Sequence, residues 1–274
     1  MKLLSCAAAL AALVLIPCAA AEAHRAHHHG TRTAPLLWAD YTHHPAGYLS
    51  AADRPDALTF LPPPPATDSP SGAADRATYT AMKALKGTPR WVEATADAEV
   101  DTPGAPRAFT CAAGVELDPK RTPVTSLLLA RVMADVAKAE DHAKDTYARK
   151  RPFLADDGDT CVEKADWLVK QGSYPSGHAA TGWAWALILS ELEPGRTEAL
   201  LKRGVSFGQS RVVCRVHFAS DVEAGRLFGS AVLARLHANR AFLADMKRAR
   251  TELAAARAPA PAGCTAEKLA AGER

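Results

Sequence analysis

The sequence predicts an all-α fold that forms a single helical domain. Long stretches of the chain place apolar side chains at helical spacing, and the strict alternation typical of β-strands is scarce. Short runs with proline or glycine separate these stretches, and no internal repeat is evident. We therefore expect one helical domain over residues 57–256.

The N-terminus is typical of an exported protein. The positive start Met1–Lys2 precedes an alanine-rich apolar run over residues 3–20, and Ala21-Glu22-Ala23 offers a cleavage site. A membrane anchor is the alternative, but the run is of marginal length and its side chains are small. We therefore expect a signal peptide over residues 1–23 and a periplasmic or secreted protein without a membrane segment after its removal.

The segment that follows the signal lacks a periodic pattern. Residues 24–56 are expected to be poorly ordered, although the run His27-His28-His29 could instead bind a metal ion. Four prolines at residues 62–65 force an extended conformation, and Ser69-Pro70-Ser71-Gly72 is expected to continue this loop. The helical part of the chain is therefore predicted to begin at about Ala74.

Five helical stretches then follow in order. They cover residues 74–99 with a break near Gly87–Pro89, 123–149, 178–193, 197–213, and a last helix from a Ser220–Glu223 capping box to about Ala256. The second stretch is amphipathic and ends before Pro152, because the residue before a proline disfavours helix. The third is predicted to be a buried core helix, and the Ala- and Pro-rich tail 257–274 is expected to be flexible.

Charge and cysteine content limit the class of protein. The formal net charge is only +3, and its even spread argues against a nucleic-acid partner. Four cysteines follow the signal, namely Cys111, Cys161, Cys214 and Cys264. They predict disulfides in one of three pairings that the sequence leaves open, with free buried thiols as the alternative. The sequence also leaves the oligomeric state open, and a homo-oligomer is one of the alternatives.

Two clusters of residues are suited to binding an anion. Lys144 and Arg151 are spaced so that both cations point to one side of a helix, although cations at a helix end usually face solvent. The segment 172–178 has the sequence GSYPSGH, in which Ser176 and Gly177 open a helix whose free N–H groups attract anions. His178 can carry a proton there, and a capped helix start with an incidental histidine is the alternative.

The third cluster, Ser210-Arg211-(x5)-His217-(x3)-Asp221, contains a candidate nucleophile. A carboxylate on one imidazole nitrogen fixes the tautomer and leaves the lone pair of the other nitrogen free to attack, whereas a purely structural His–Asp bond is the alternative. The three clusters together match the charge of a phosphoryl group in transfer. No acidic cluster able to hold Mg²⁺ is apparent, so we expect neither a metal nor another cofactor.

The order of the motifs resembles that of a known superfamily. K-x6-RP, PSGH and SR-x5-H-x3-D resemble the signature of the type 2 phosphatidic acid phosphatases and vanadium haloperoxidases. Upstream residues resemble the class A bacterial nonspecific acid phosphatases, namely LPPPPA at 61–66, Asp75, Tyr79, Arg90-Trp91 and Ala96-Asp97. The resemblance covers about residues 47–240. It departs at Ala179, where the class usually has Thr, and at residues 69–74.

The resemblance implies an all-helical, periplasmic acid phosphatase of broad specificity that hydrolyses phosphate monoesters through a phosphohistidine. His217 matches the nucleophile, Asp221 the residue that orients it, and His178 the general acid and base. The phosphate-binding residues are implied to be Lys144, Arg151, Ser176, Gly177 and Arg211. Vanadate, which mimics pentacoordinate phosphorus, is the expected inhibitor, and phosphotransfer to an alcohol is a conceivable side reaction.

Two other functions use the same residues. A vanadate-dependent haloperoxidase would hold vanadate in this cluster of cations, but the proline run and the short exported chain favour the phosphatase. A non-catalytic protein that binds phosphate or vanadate would need the cations alone. His178 and the His217–Asp221 pair argue against simple binding, because anion capture requires neither.

Overall fold

A computed structural model describes residues 45–156 and 158–257, together with residues 261 and 264. Within these residues the chain forms α-helices joined by short 3-10 turns and has no β-strand, so the predicted all-α fold is confirmed. The helices are α1 (Pro70–Ala81), α2 (Pro89–Ala96), α3 (Thr110–Ala113), α4 (Pro123–Tyr147), α5 (Asp166–Lys170), α6 (Gly177–Leu192), α7 (Thr197–Val213), α8 (Ala219–Leu236) and α9 (Arg240–Ala256). The predicted signal peptide at residues 1–23 lies outside the described residues.

The first helix begins earlier than the sequence analysis expected. Ser69 caps α1 by accepting a hydrogen bond from the Gly72 N–H at 3.0 Å, and Pro70 occupies the first helical position, where its missing N–H is not needed. The expectation that residues 69–72 continue the loop is therefore wrong. The predicted break is confirmed, because Gly87 adopts a φ of +78° between the helical segments that end at Leu85 and begin at Pro89.

The C-terminal helical region consists of two helices, α8 and α9, rather than the single one expected. Asn239 interrupts it and caps α9, its Oδ1 accepting hydrogen bonds from the N–H groups of Ala241 and Phe242 at 2.9 and 3.1 Å. The expected capping box of Ser220 and Glu223 is also wrong. Ser220 lies inside α8, and the first turn is instead capped by Asp221, which accepts a hydrogen bond from the Phe218 N–H at 2.8 Å.

Helix α6 forms the centre of the core, as its apolar sequence predicts. It packs against α4, α7, α8 and α9. The ring of Trp185 lies 6.2 Å from that of Phe109 and 6.3 Å from that of Phe207, and its indole N–H donates to the Leu129 carbonyl at 2.8 Å. In the described part of the chain, no helix combines the length and the apolar character that crossing a membrane requires.

The crossing of α6 and α8 brings their backbones into direct contact. A Cβ atom at Gly229 would lie 2.4 Å from the carbonyl oxygen of Ala180, closer than any real side chain approaches. Gly225 makes a similar approach to the carbonyl of Ser176. Because the two helices touch here, the first turn of α8 is held against the first turn of α6, where the sequence places the candidate site.

Residues 45–56 contact the helices, although they belong to the segment 24–56 that was expected to be poorly ordered. The buried Asp135 of α4 accepts hydrogen bonds from the N–H groups of Tyr48 and Leu49 at 2.7 and 2.9 Å. The Tyr48 hydroxyl donates to Asp245 of α9 at 2.7 Å. Residues 24–44, including the histidine run, lie outside the described residues.

Two disulfides select one of the three pairings that the sequence left open. Cys111 is bonded to Cys264, which ties the C-terminal tail to α3, and Cys161 is bonded to Cys214. The second disulfide holds the loop before α5 against the end of α7, next to His217. Apart from residues 257, 261 and 264, the tail expected to be flexible lies outside the described residues.

Replacing Gly229 with alanine should destabilise the fold, because the new methyl group overlaps the Ala180 carbonyl. We expect the free energy of unfolding to fall by about 1–3 kcal/mol, as is typical of overpacked sites. Urea denaturation measures this, with Gly195→Ala as the control, because a Cβ at Gly195 meets nothing within 4 Å. Equal stability of the two variants would contradict the close contact.

Candidate active site

A cavity of about 140 Å³ lies where the three sequence clusters meet. Six of the eight predicted site residues line it, namely Lys144, Arg151, Gly177, His178, Arg211 and His217. The other two, Ser176 and Asp221, are fully buried. Val100, Asp101 and Trp167 also line the cavity, and Trp167 is largely exposed. The structure thus brings the three distant motifs together at one place.

Helix ends deliver the functional side chains to this cavity. Lys144 lies in the last turn of α4, which ends when Ala148 adopts a left-handed conformation with φ +41° and turns the chain towards Arg151. Gly177 and His178 form the first turn of α6. Arg211 lies in the last turn of α7, and His217 lies in the short connection to α8.

The hydrogen bonds of His217 define its tautomer. Nη1 of Arg151 lies 2.9 Å from Nε2 of His217, and since a guanidinium only donates, Nε2 carries the lone pair. Nδ1 therefore carries the hydrogen, and it lies 3.3 Å from Oγ of Ser173 and 3.4 Å from Oδ2 of Asp221. The Nε2 lone pair thus faces the cavity cations and accepts a hydrogen bond from one of them, Arg151. Burial and the nearby cations, Arg151 first, hold the pKa of His217 well below its usual value.

Asp221 is completely buried behind His217 and is surrounded by donors. The Ser173 hydroxyl donates to Oδ2 at 2.5 Å and the Phe218 N–H to the same oxygen at 2.8 Å, while Nη1 of Arg149 bonds to Oδ1. Burial raises the pKa of Asp221, and Arg149 and these hydrogen bonds oppose the rise. Ser173 bridges Asp221 and His217, so the carboxylate fixes the imidazole partly through this hydroxyl.

Arg149 and Asp75 form a second layer that the sequence analysis did not assign to the site. Arg149 bridges two carboxylates, because its Nη2 also donates to Oδ2 of Asp75 at 2.9 Å. Asp75 accepts hydrogen bonds from the N–H and hydroxyl of Ser220 at 3.0 and 2.5 Å. Two sequence signals could have indicated these residues. Asp75 is one of the upstream residues that resemble the acid phosphatases, and Ser173 lies in the GSYPSGH segment. Nothing in the local pattern distinguishes Arg149 from the other basic residues around it.

His178 is anchored by its other nitrogen. Its Nε2 lies 2.9 Å from the carbonyl oxygen of Ala98, and because a carbonyl only accepts, Nε2 carries a hydrogen. In the neutral ring the lone pair is then on Nδ1, the nitrogen available to take up a proton. Burial, followed by the charge of Arg211, holds the pKa of His178 well below its usual value.

Three buried cations face this cavity with few anionic partners. Nζ of Lys144 donates to the Gly172 carbonyl at 3.0 Å, and Nη1 of Arg151 to the Val216 carbonyl at 3.1 Å. Among the described residues, nothing accepts a hydrogen bond from Nε and Nη1 of Arg211. Burial lowers the pKa of Arg151 to about 10 and, with the charge of Arg151, that of Arg211 to about 9. Buried donors of this kind are suited to binding the oxygens of an anion.

Ser176 has a clear structural contact as the N-cap residue of α6. Its Oγ accepts a hydrogen bond from the Ala179 N–H at 3.4 Å, and its own N–H donates to the Asp221 carbonyl at 3.0 Å. The contribution of its hydroxyl to phosphate binding stays a prediction. In the described ranges, no three His, Cys, Asp or Glu side chains are grouped as ligands for a metal ion.

Comparisons with known proteins match the part of the chain that builds this site. A family model described as the PAP2 superfamily matches residues 122–243. An acid phosphatase of Zymomonas mobilis subsp. mobilis is 43% identical over 206 residues, or 75% of this chain and 78% of that protein. A non-specific acid phosphatase of Salmonella typhimurium is 40% identical over 223 residues, which cover 80% of this chain and 89% of that protein. A bacterial vanadium-dependent iodoperoxidase structure is 18% identical with a TM-score of 0.47, covering 66% of this chain and 53% of that one.

Identity at this level over most of both chains shows common family membership. The chain therefore belongs to the PAP2 superfamily. Both of the relatives above that match most of the chain are acid phosphatases, so the resemblance that the sequence motifs indicated is confirmed.

Replacing Arg149 with methionine should destabilise the protein, because the buried Asp221 and Asp75 lose the cation that they share. We expect the free energy of unfolding to fall by about 3–5 kcal/mol, as when one partner of a buried ion pair is removed. Urea denaturation measures this. The control is Lys150→Met, which removes an exposed cation one position away. A loss no larger than that of the control would show that Arg149 does not support the buried carboxylates.

Proposed function

We propose that the protein hydrolyses phosphate monoesters of broad specificity through a covalent phosphohistidine on His217, without a metal ion. One observation carries this proposal. Nε and Nη1 of Arg211, which have no hydrogen-bond partner among the described residues, are buried in the same cavity as Arg151, Lys144 and the Nε2 lone pair of His217. Such a cluster matches a phosphoryl group, whose charge is spread over its equatorial oxygens during transfer.

In the first step, Nε2 of His217 attacks phosphorus while the bond to the leaving oxygen breaks. The N–H of Arg151 that bonds Nε2 in the free protein turns to a phosphoryl oxygen, which frees the lone pair. The leaving oxygen takes a proton from Nδ1 of His178. Asp221 and Ser173 keep the Nδ1 hydrogen of His217 in place and stabilise the positive charge that develops on the ring.

In the second step, water attacks phosphorus and the bond from phosphorus to Nε2 breaks. Nδ1 of His178, which lost its proton in the first step, takes one from the water, so the ring returns to its initial state. Inorganic phosphate then leaves, and Arg151 can bond Nε2 again. If an alcohol takes the place of water, the phosphoryl group is transferred to it and a new ester forms.

The pKa values favour activity in weakly acidic solution. In the free protein, burial and cations lower the pKa of both His178 and His217, so acid promotes the protonation of His178 that the first step needs. The negative charge of a bound phosphate raises the pKa of His178 and helps it to hold this proton. The relatives named acid phosphatases support the same conclusion. With the export signal of the sequence, we propose a periplasmic or secreted enzyme.

The two alternatives from the sequence are less well supported. The relatives that match three quarters or more of the chain are acid phosphatases, which favours phosphate ester hydrolysis over halide oxidation. Two histidines with defined tautomers share the cavity with the cations, which favours catalysis over anion binding. We therefore favour the phosphatase over both the haloperoxidase and the anion-binding protein.

Replacing His217 with alanine should abolish covalent labelling of the protein. The wild type, mixed rapidly with a radiolabelled phosphate monoester and quenched without acid, should carry an acid-labile, alkali-stable phosphate. The variant should carry none, because no other ring nitrogen replaces Nε2. His237→Ala, which removes an exposed histidine paired with Glu191, is the control and should label normally. Undiminished labelling of His217→Ala would refute the assignment of the nucleophile.

Chelators should leave the rate unchanged, because Lys144, Arg151 and Arg211 supply the positive charge that a metal ion would otherwise provide. Vanadate should inhibit competitively, because it takes up the pentacoordinate geometry of the transferred group. Hydrolysis of p-nitrophenyl phosphate, followed with EDTA and with orthovanadate, measures both effects. A loss of activity in EDTA that added Mg²⁺ or Zn²⁺ restores would contradict the metal-free mechanism.

A further inference from the structure

A buried carboxyl group, that of Glu140, lies in the active-site cavity and has no part in the mechanism above. Glu140 is one helical turn before Lys144 in α4, and its side chain is only 8% exposed. Its Oε1 lies 3.8 Å from Nζ of Lys144, while Oε2 has no hydrogen-bond partner among the described residues. A buried carboxyl oxygen without a partner is costly, which points to a partner that arrives with the substrate.

Glu140 lies against the first residue of α6. A Cβ atom at Gly177 would be 2.4 Å from both Oε1 and Oε2, so the carboxyl group fills the space that a side chain at position 177 would need. Gly177 and His178, in the first turn of α6, line the cavity, and the start of a helix attracts phosphoryl oxygens. A phosphoryl group bound there would lie beside the Glu140 carboxyl.

We propose that protonated Glu140 donates a hydrogen bond from its carboxyl group to a phosphoryl oxygen, and that loss of this proton weakens binding of the phosphoryl group. Glu140 would thus restrict phosphate binding to acidic and neutral solution. This inference rests on the proposed function of the cavity. Its physical basis is that a neutral carboxyl can donate a hydrogen bond to an anion, whereas a carboxylate can only repel it.

The surroundings of Glu140 place its titration near neutrality. Several charged and titratable groups surround Glu140. Asp141 and Lys144 lie on its own helix, and the others come from the segments before α3 and after α4 and from the ends of α6 and α7, namely Asp101, Arg151, His178, Arg211 and His217. Burial raises the pKa of Glu140 to about 7, against the opposing charges of Lys144 and Arg151. The histidines titrate well below this range in the free protein.

The sign of the pH effect follows from linkage. A bound tetrahedral anion raises the pKa of Glu140 above its value in the free protein, so between the two values binding takes up one proton. Below about pH 7 Glu140 is protonated in both states, and its effect on affinity is constant. Above that pH, affinity falls roughly tenfold per pH unit until Glu140 ionises in the bound state as well.

Calorimetric titration with inorganic sulfate tests this directly, because sulfate is a tetrahedral dianion whose charge stays constant over the range from pH 5.5 to 8.5. Titrations in buffers of different ionisation enthalpy give the number of protons taken up. At about pH 7.5 the wild type should take up about three quarters of a proton more than Glu140→Gln, which keeps a hydrogen-bond donor but cannot ionise. The dissociation constant of the wild type for sulfate should rise more steeply with pH than that of the variant.

Asp145→Asn is the matched control, because it removes an exposed carboxylate of α4 that does not line the cavity. It should behave as the wild type does. Equal proton uptake by wild type and Glu140→Gln would overturn the inference. If that variant does not fold, absence of proton uptake by the wild type near pH 7.5 overturns it equally. A different result would refute the proposed function. In that case the wild type would not hydrolyse p-nitrophenyl phosphate, and sulfate would not compete with this ester for binding.

Discussion

The arrangement of the site depends on the burial of a single carboxylate, that of Asp221. Burying a charge is tolerated only where donors replace its water, and the Ser173 hydroxyl, the Phe218 N–H and Arg149 do so here. The same carboxylate caps α8 and lies behind Nδ1 of His217. One group therefore fixes both the start of α8 and the orientation of the imidazole. Neither can shift without exposing this carboxylate to solvent or removing its hydrogen-bond donors.

The cations of the site depend on the core in a similar way. The backbone contact between α6 and α8 at Gly229 brings the N-terminus of α6 close to His217, and the ends of α4 and α7 add Lys144 and Arg211. Because these charges are buried, they act on one another and on an incoming anion more strongly than they would at the surface. The free energy that burying these charges costs is offset by the hydrophobic core around Trp185, which is remote from the chemistry.

Local sequence patterns predicted the helices where local physics decides them. Pro152 after α4, the apolar run of α6 and glycine at position 87 act through neighbouring residues alone, so their effects can be read from the sequence. The patterns failed where several polar residues compete to cap a helix. Ser220 has the sequence of a cap, yet Asp75, which is 145 positions away, binds it, and Asp221 takes its place.

The sequence by itself determined which residues meet in the cavity, because the three motifs encode both the side chains and the helix ends that carry them. Only the tertiary structure decided that Arg149 supports Asp221, that Glu140 faces Gly177, and that Cys161 joins Cys214. A charged residue on a helix has the same local sequence whether it faces solvent or the interior. Its burial, and with it the pKa and the cost of leaving it unpaired, depends on distant segments that pack against it.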